Sequence, residues 1–168
     1  MNRSIEELKI RAKKLQHSAE RQEPQALAFL KVHSRPECDI KRKTCLNAVA
    51  RKIGFADWSH TKLVLSGMAP SGHDMGKIWY QTNCSVYLNH WFADYKQAAS
   101  YLADHPDLYL LSYQRQFVVV DQNVIKTLDL FDECDGSWRT IQNDLVAGYA
   151  TDGWYQLVWQ RISKIDMH

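Results

Sequence analysis

The chain has 168 residues, a net charge of +2, 45% apolar residues and 24% charged residues. Those proportions are ordinary for a globular protein and exclude collagen-like, coiled-coil and fully disordered chains. A chain of this length buries about two thirds of its surface on folding, so it needs no disulfide or metal staple. Its longest apolar run is Ala26-Leu27-Ala28-Phe29-Leu30, far short of the roughly 20 residues of a membrane span. The start, Met1-Asn2-Arg3-Ser4-Ile5-Glu6-Glu7, has no apolar core of a signal peptide. A cytoplasmic protein without membrane contact is expected.

The small net charge hides an asymmetry. Residues 1–72 hold 14 Lys and Arg against 7 Asp and Glu, a surplus of +7, and residues 73–168 hold 7 against 12, a deficit of −5. A basic end can bind a polyanion, or it can attract the acidic half or solubilise itself. Four cysteines, Cys38, Cys45, Cys84 and Cys134, form no C-x-x-C pair and are expected as reduced thiols.

Ile5, Leu8, Ala12, Leu15 and Ala19 step by three and four, which predicts a helix with one apolar stripe. Ser4 and Glu7 read as its capping box. Pro24 suits the first turn of a second helix carrying Leu27, Phe29 and Leu30, broken by Ser34-Arg35-Pro36-Glu37. A third helix is predicted from about Ile40 to Ile53, with Cys45, Leu46, Val49, Ala50 and Ile53 on one face and Gly54 as its left-handed stop. Asp57 caps a fourth through Trp58, Leu63 and Leu65. Ser66 to Gly72 reads as a Gly/Ser/Pro linker.

Beyond the linker the periodicity changes. Lys77-Ile78-Trp79-Tyr80-Gln81 reads as a strand. Asp94 caps a helix through Ala98, Ala99 and Leu102. Leu108 to Tyr113 and Phe117 to Val120 are of strand length, joined by Gln114-Arg115-Gln116, and the second is apolar throughout, so it is expected to be covered on both faces. Helices follow at about 122–129, 137–147 (capped by Ser137) and 152–165. The predicted fold class is α+β: a helical bundle over 1–66, then an aromatic-rich α+β module over 73–168 with a short, mostly antiparallel sheet.

Three pieces recur in order near the N-terminus: Leu8-Lys9-Ile10-Arg11-Ala12-Lys13-Lys14-Leu15, Pro24-Gln25-Ala26-Leu27-Ala28-Phe29, and Ala48 to Gly54-Phe55-Ala56-Asp57-Trp58. Over roughly 60 residues this resembles a small helical module at the N-termini of uncharacterised bacterial proteins, some of which carry ankyrin repeats or glyoxalase-like domains. The resemblance implies a helical N-terminal module and assigns no chemistry. Phe55 and Trp58 are expected to fill its corner as core.

Four chemistries are weighed. Residues 46–65 have the outline of a helix-turn-helix, and Lys41, Arg42, Lys43, Arg51 and Lys52 form a basic strip that could meet phosphate; the alternative is a solvated face or one docked on the acidic half. Cys84, His90 and Asp94 supply a nucleophile, a base and an orienting acid, although one short segment rarely aims all three at one point; the plainer reading is a buried Cys and a capping Asp. His33, Cys38, Cys45 and His60 are metal-ligand types at spacings that fit no familiar zinc motif, so no metal and no cofactor is expected. Trp79, His90, Trp91 and Tyr113, with Arg115 as an anion holder, suggest an aromatic ligand pocket, against a plainly aromatic core. The expected function is binding, as a bacterial interaction or regulatory protein with an unknown protein or small-molecule partner. Nucleic-acid regulation is the alternative, and a thiol-dependent enzyme the second alternative.

Overall fold

The computed structural model describes residues 2–34, 39–131 and 136–167. Contacts divide the chain into two units, Met1–Ser66 with Ile165–His168, and Gly67–Lys164. The last residues therefore group with the first unit, where Arg11 Nη1 donates to the Ile165 carbonyl at 3.0 Å. The fold is α+β, with eight α-helices and a three-stranded antiparallel sheet among the described residues. No helix among these residues is long and apolar enough to cross a membrane.

The first unit is helical. Its elements are α1 (Arg3–Glu20), α2 (Pro24–His33), α3 (Arg42–Lys52) and α4 (Trp58–Leu65). Leu8, Ala12 and Ala19 of the predicted stripe are buried, while Ile5 and Leu15 are half-buried. The cap of α1 is Asn2 rather than Ser4: its Oδ1 accepts from the Ile5 N–H at 3.2 Å and its amide holds the Leu65 carbonyl. The helix thus begins earlier than the capping box implies, and Ser4 is buried in its first turn. Gly54, at φ 106°, stops α3. The Phe55 N–H reaches the Ala50 carbonyl at 2.9 Å and the Gly54 N–H reaches that of Arg51 at 3.1 Å, the paired bonds of a Schellman ending. Asp57 caps α4 through the His60 N–H at 2.8 Å. Of the two residues expected to fill the corner, Phe55 is buried, whereas Trp58 is half-buried and not core; Thr61, Val64 and Leu65 are the buried residues of α4. Arg35-Pro36-Glu37 of the predicted helix-ending segment, together with Cys38 and Cys134, lie outside the described residues.

The second unit contains β1 (Asn89–Phe92), α5 (Tyr95–Asp104), β2 (Tyr109–Tyr113), β3 (Gln116–Val120), α6 (Gln122–Thr127), α7 (Ser137–Thr140) and α8 (Asp152–Lys164). The sheet order is β1-β3-β2. Val118, Val119 and Val120 of central β3 are fully buried, because both faces of that strand are covered. One face packs Leu110 and Val119 against Ala98 and Leu102 of α5. Across the opposite face, Trp91, Val118 and Leu111 align in register.

Residues 77–81 are not a strand. The segment turns, with the Tyr80 N–H on the Lys77 carbonyl at 3.3 Å, and buries Ile78 and Trp79. The turn is fixed from α8, where the buried Arg161 donates Nε–H to the Ile78 carbonyl at 2.9 Å and Nη1–H to that of Leu128 at 3.4 Å. The helix predicted over 137–147 ends at Thr140, with Gly136 rather than Ser137 in the cap position. Gln142 and Asn143 adopt φ of 53° and 59°, and the main chain of Asn143 and Leu145 bonds to β2 instead: Leu110 N–H to the Asn143 carbonyl at 2.8 Å and Leu145 N–H to the Leu110 carbonyl at 3.0 Å. Of the predicted linker, Ser66, Met68, Pro70, Ser71 and Gly72 are exposed, and Gly67 is in close contact. At Gly67 (φ 77°) a Cβ would meet the Tyr155 hydroxyl and lie 2.8 Å from Ala150 Cβ.

Candidate functional site

Strand alternation sorts the aromatic residues. Successive side chains of β1 point to opposite faces, so His90 and Trp91 cannot share a pocket. His90 Nε2 lies 3.0 Å from the Tyr101 hydroxyl, on the α5 face. Trp91 lies on the other face with Tyr80 and Tyr113, ring centroids 5.1 and 5.4 Å away. Trp79 is fully buried against Trp154. Of the sequence-derived pocket residues, only Trp91 and Tyr113 come together.

Cys84, His90 and Asp94 are also separated in role. Cys84 is fully buried in the 3-10 turn Thr82–Val86, and burial pushes its thiol up, against the opposing pull of a main-chain hydrogen bond at Gln81 and of Arg161. Asp94 accepts the Gln97 N–H at 3.1 Å as the cap of α5. His90 faces Tyr101.

The basic strip is partly committed. Arg42 Nη2 donates to the Lys9 carbonyl at 2.6 Å, and Arg51 to those of Ala56 and His33 at 3.2 and 3.0 Å. Lys41 pairs with Asp39 at 2.7 Å, which holds its ammonium above the usual lysine range. Lys43 is exposed and Lys52 half-buried. No group of three or more His, Cys, Asp or Glu among the described residues could hold a metal ion. His60 Nδ1 accepts the Ala56 N–H at 3.2 Å. Cys45 is buried with its thiol pushed up by that burial, and His33 is pushed down by burial and then by Lys52.

Arg115 stands at a different place, the rim of a cleft of about 330 Å³ inside the second unit. The β2–β3 turn carries it. Gln114, at φ 54°, has both main-chain groups engaged: its N–H on the Gly76 carbonyl at 2.7 Å and its carbonyl on the Met75 N–H at 3.0 Å. Met75, Phe117 and Val146 give the cleft apolar walls. Ser112 lies in this lining and is 4% exposed. Its hydroxyl is the small polar group of that lining and is not among the fully buried polar atoms that lack a partner.

The far wall is held by Asp144. Its Oδ2 accepts the Tyr95 hydroxyl at 2.7 Å, and its Oδ1 accepts the N–H groups of Val146 and Ala147 at 2.8 and 2.9 Å. Burial, with the Asp144 carboxylate beside it, pushes Tyr95 up to about 12. A folded-state value above the unfolded one of about 10 contributes stability that is complete below pH 10 and is lost as pH rises toward about 12. The stability advantage of the wild type over Tyr95→Phe is therefore expected to shrink across that window. Urea midpoints of both proteins at about pH 8 and about pH 11 measure it; a constant difference refutes the assignment.

Sequence reasoning did not pick out Ser112, Tyr95 or Asp144. The signal for Ser112 was present, as the one small polar side chain in the strand Tyr109-Leu110-Leu111-Ser112-Tyr113. Tyr95 and Asp144 are 49 residues apart, and no local pattern pairs them. Comparison with known proteins finds no matching family model, no similar curated protein and no similar solved structure.

Proposed function

We propose that this is a cytoplasmic bacterial binding protein whose second unit takes a small anion with an apolar body, the anionic end toward Arg115 and the body in the cleft below. The observation that carries this reading is the lining of the cleft, in which the Ser112 hydroxyl and Arg115 meet apolar walls from Met75, Phe117 and Val146. Ligand sites share that composition, mostly apolar walls with a few placed polar groups. Arg115 adds a planar donor fork suited to carboxylate or phosphate, on main chain that is already fixed. The burial and raised thiol of Cys84 weigh toward binding rather than thiol chemistry, because the thiolate is the nucleophile. The commitment of Arg42 and Arg51 to carbonyls weighs against a phosphate-contacting strip. The first unit is proposed to be the helical module that its sequence resembles, serving as a partner-binding or regulatory appendage. Its four helices in the order of the three motif pieces support this.

The test uses 2-naphthoate and its uncharged isostere 2-naphthamide in calorimetric titrations of the full chain. The naphthoate is expected to bind about tenfold more tightly than the amide, the size of one charge-assisted contact. Arg115→Ala, a change on an exposed turn, is expected to erase that preference, and Ser112→Val to weaken both probes by filling the cleft. Equal binding of the two probes by the wild type, or a preference that survives in Arg115→Ala, overturns the reading.

A further inference from the structure

The two edges of the sheet are treated differently. Outer strand β2 is closed by the chain itself, through the parallel bridge between Leu110 and Asp144. Outer strand β1 has no strand or isolated bridge on its free side among the described residues. Open edges are usually protected by charge, above all lysine, yet Ile78 through Ala93 contains no Lys, Arg, Asp or Glu. The same segment exposes apolar side chains: Val86 is 79% exposed, Leu88 58% and Trp91 44%. Such a run beside an unpaired edge marks a protein contact.

We infer that β1 pairs with β1 of a second copy of this chain, antiparallel about a two-fold axis at Trp91, to form a continuous six-stranded sheet. Charge selects this occupant. A neutral edge offers a charged peptide no complement, but it meets its own copy without like-charge repulsion, and an isologous contact requires that self-complementarity. The pleat allows only registers in which directly opposed residues share a face, which places the axis at His90 or at Trp91. The Trp91 register sets two aromatic rings side by side, a favourable cross-strand pair, on the face where Tyr80 and Tyr113 already pack against Trp91. The His90 register opposes two imidazoles that are each engaged with their own Tyr101. Four strand residues and the two flanking apolar side chains Val86 and Leu88 make a contact smaller than the roughly 800 Å² per partner of a standard interface, so the dimer is reversible and concentration-dependent.

Sedimentation velocity of the full chain from about 1 μM to about 1 mM tests this. The wild type is expected to shift from monomer to dimer across that range. Trp91→Lys and Trp91→Glu are each expected to remain monomeric, since the axis sets residue 91 against itself. An equimolar mixture of the two is expected to recover the dimer through opposite charges. Leu88→Lys, on an exposed residue outside the strand, is expected to weaken association at least tenfold and gives a second reading should either Trp91 variant fail to fold. A wild type monomeric throughout, variants that dimerise as it does, or a mixture that stays monomeric each overturns the proposal. Naphthoate binding is read separately, so failure here leaves the cleft assignment standing and the reverse.

Discussion

Replacing Arg161 by alanine is expected to destabilise the second unit by about 3 kcal/mol. Arg161 is 4% exposed and its guanidinium donates to two main-chain carbonyls, those of Ile78 and Leu128. Burial depresses its affinity for a proton, with Cys84 and Asp129 opposing that shift, so the cation is held at a desolvation cost. Removing it relieves that cost. Against this, two buried carbonyls lose their donors, each worth about 1–3 kcal/mol, and a long side chain leaves a void. The losses outweigh the relief. Arg161→Met fills the void without supplying donors and is expected to recover about half of the loss. Urea unfolding followed by tryptophan fluorescence is well placed to measure this, because five of the six tryptophans (all but Trp58) lie in the second unit. A loss below about 1 kcal/mol for the alanine variant shows that water replaces the guanidinium at those carbonyls.

Asp144→Ala is expected to cost a similar amount, about 3 kcal/mol, and to abolish naphthoate binding. Three hydrogen bonds end on this carboxylate, from Tyr95, Val146 and Ala147, at 8% exposure. They hold the turn whose main chain closes the β2 edge at Leu110 and whose Val146 lines the cleft. Asp144→Asn keeps Oδ1 for the two N–H groups and offers its amide to the Tyr95 oxygen, so it is expected to lose only about 1 kcal/mol and to retain binding. Equal effects of the two substitutions, measured by unfolding and by titration, refute a role through hydrogen bonding.

The parts of this fold that were legible in the sequence are those governed by neighbours a few residues apart. The apolar stripe of α1, Pro24 at the start of α2, Gly54 after α3, and the caps Asp57 and Asp94 each act within a turn of helix, and the two runs flanking Gln114-Arg115-Gln116 announce their own hairpin. What was misread depends on distant bonds. Ile78-Trp79-Tyr80 has the composition of a strand, but Arg161, 83 residues away, holds it as a turn. Asn89-His90-Trp91-Phe92 lacks β-branched residues and becomes a strand by pairing with Phe117–Val120. Residues 141–147 carry a helical pattern, and the bonds to Leu110 override it. The site follows the same rule. Arg115 was readable as an exposed cation on a turn, whereas the cleft beneath it exists only where 69–75, β2, β3 and 145–149 meet.

The clamp on the Gln114 main chain bears on the kinetics of the proposed capture. A cation on a slack loop must be immobilised at each encounter, at about 1–2 kcal/mol for every residue whose backbone is frozen. Here Met75 and Gly76 have already immobilised the turn, so an arriving anion has only the arginine rotamers left to settle. For the anion proposed above, association is then expected to be limited by diffusion into the cleft, with differences in affinity between anions read as differences in residence time.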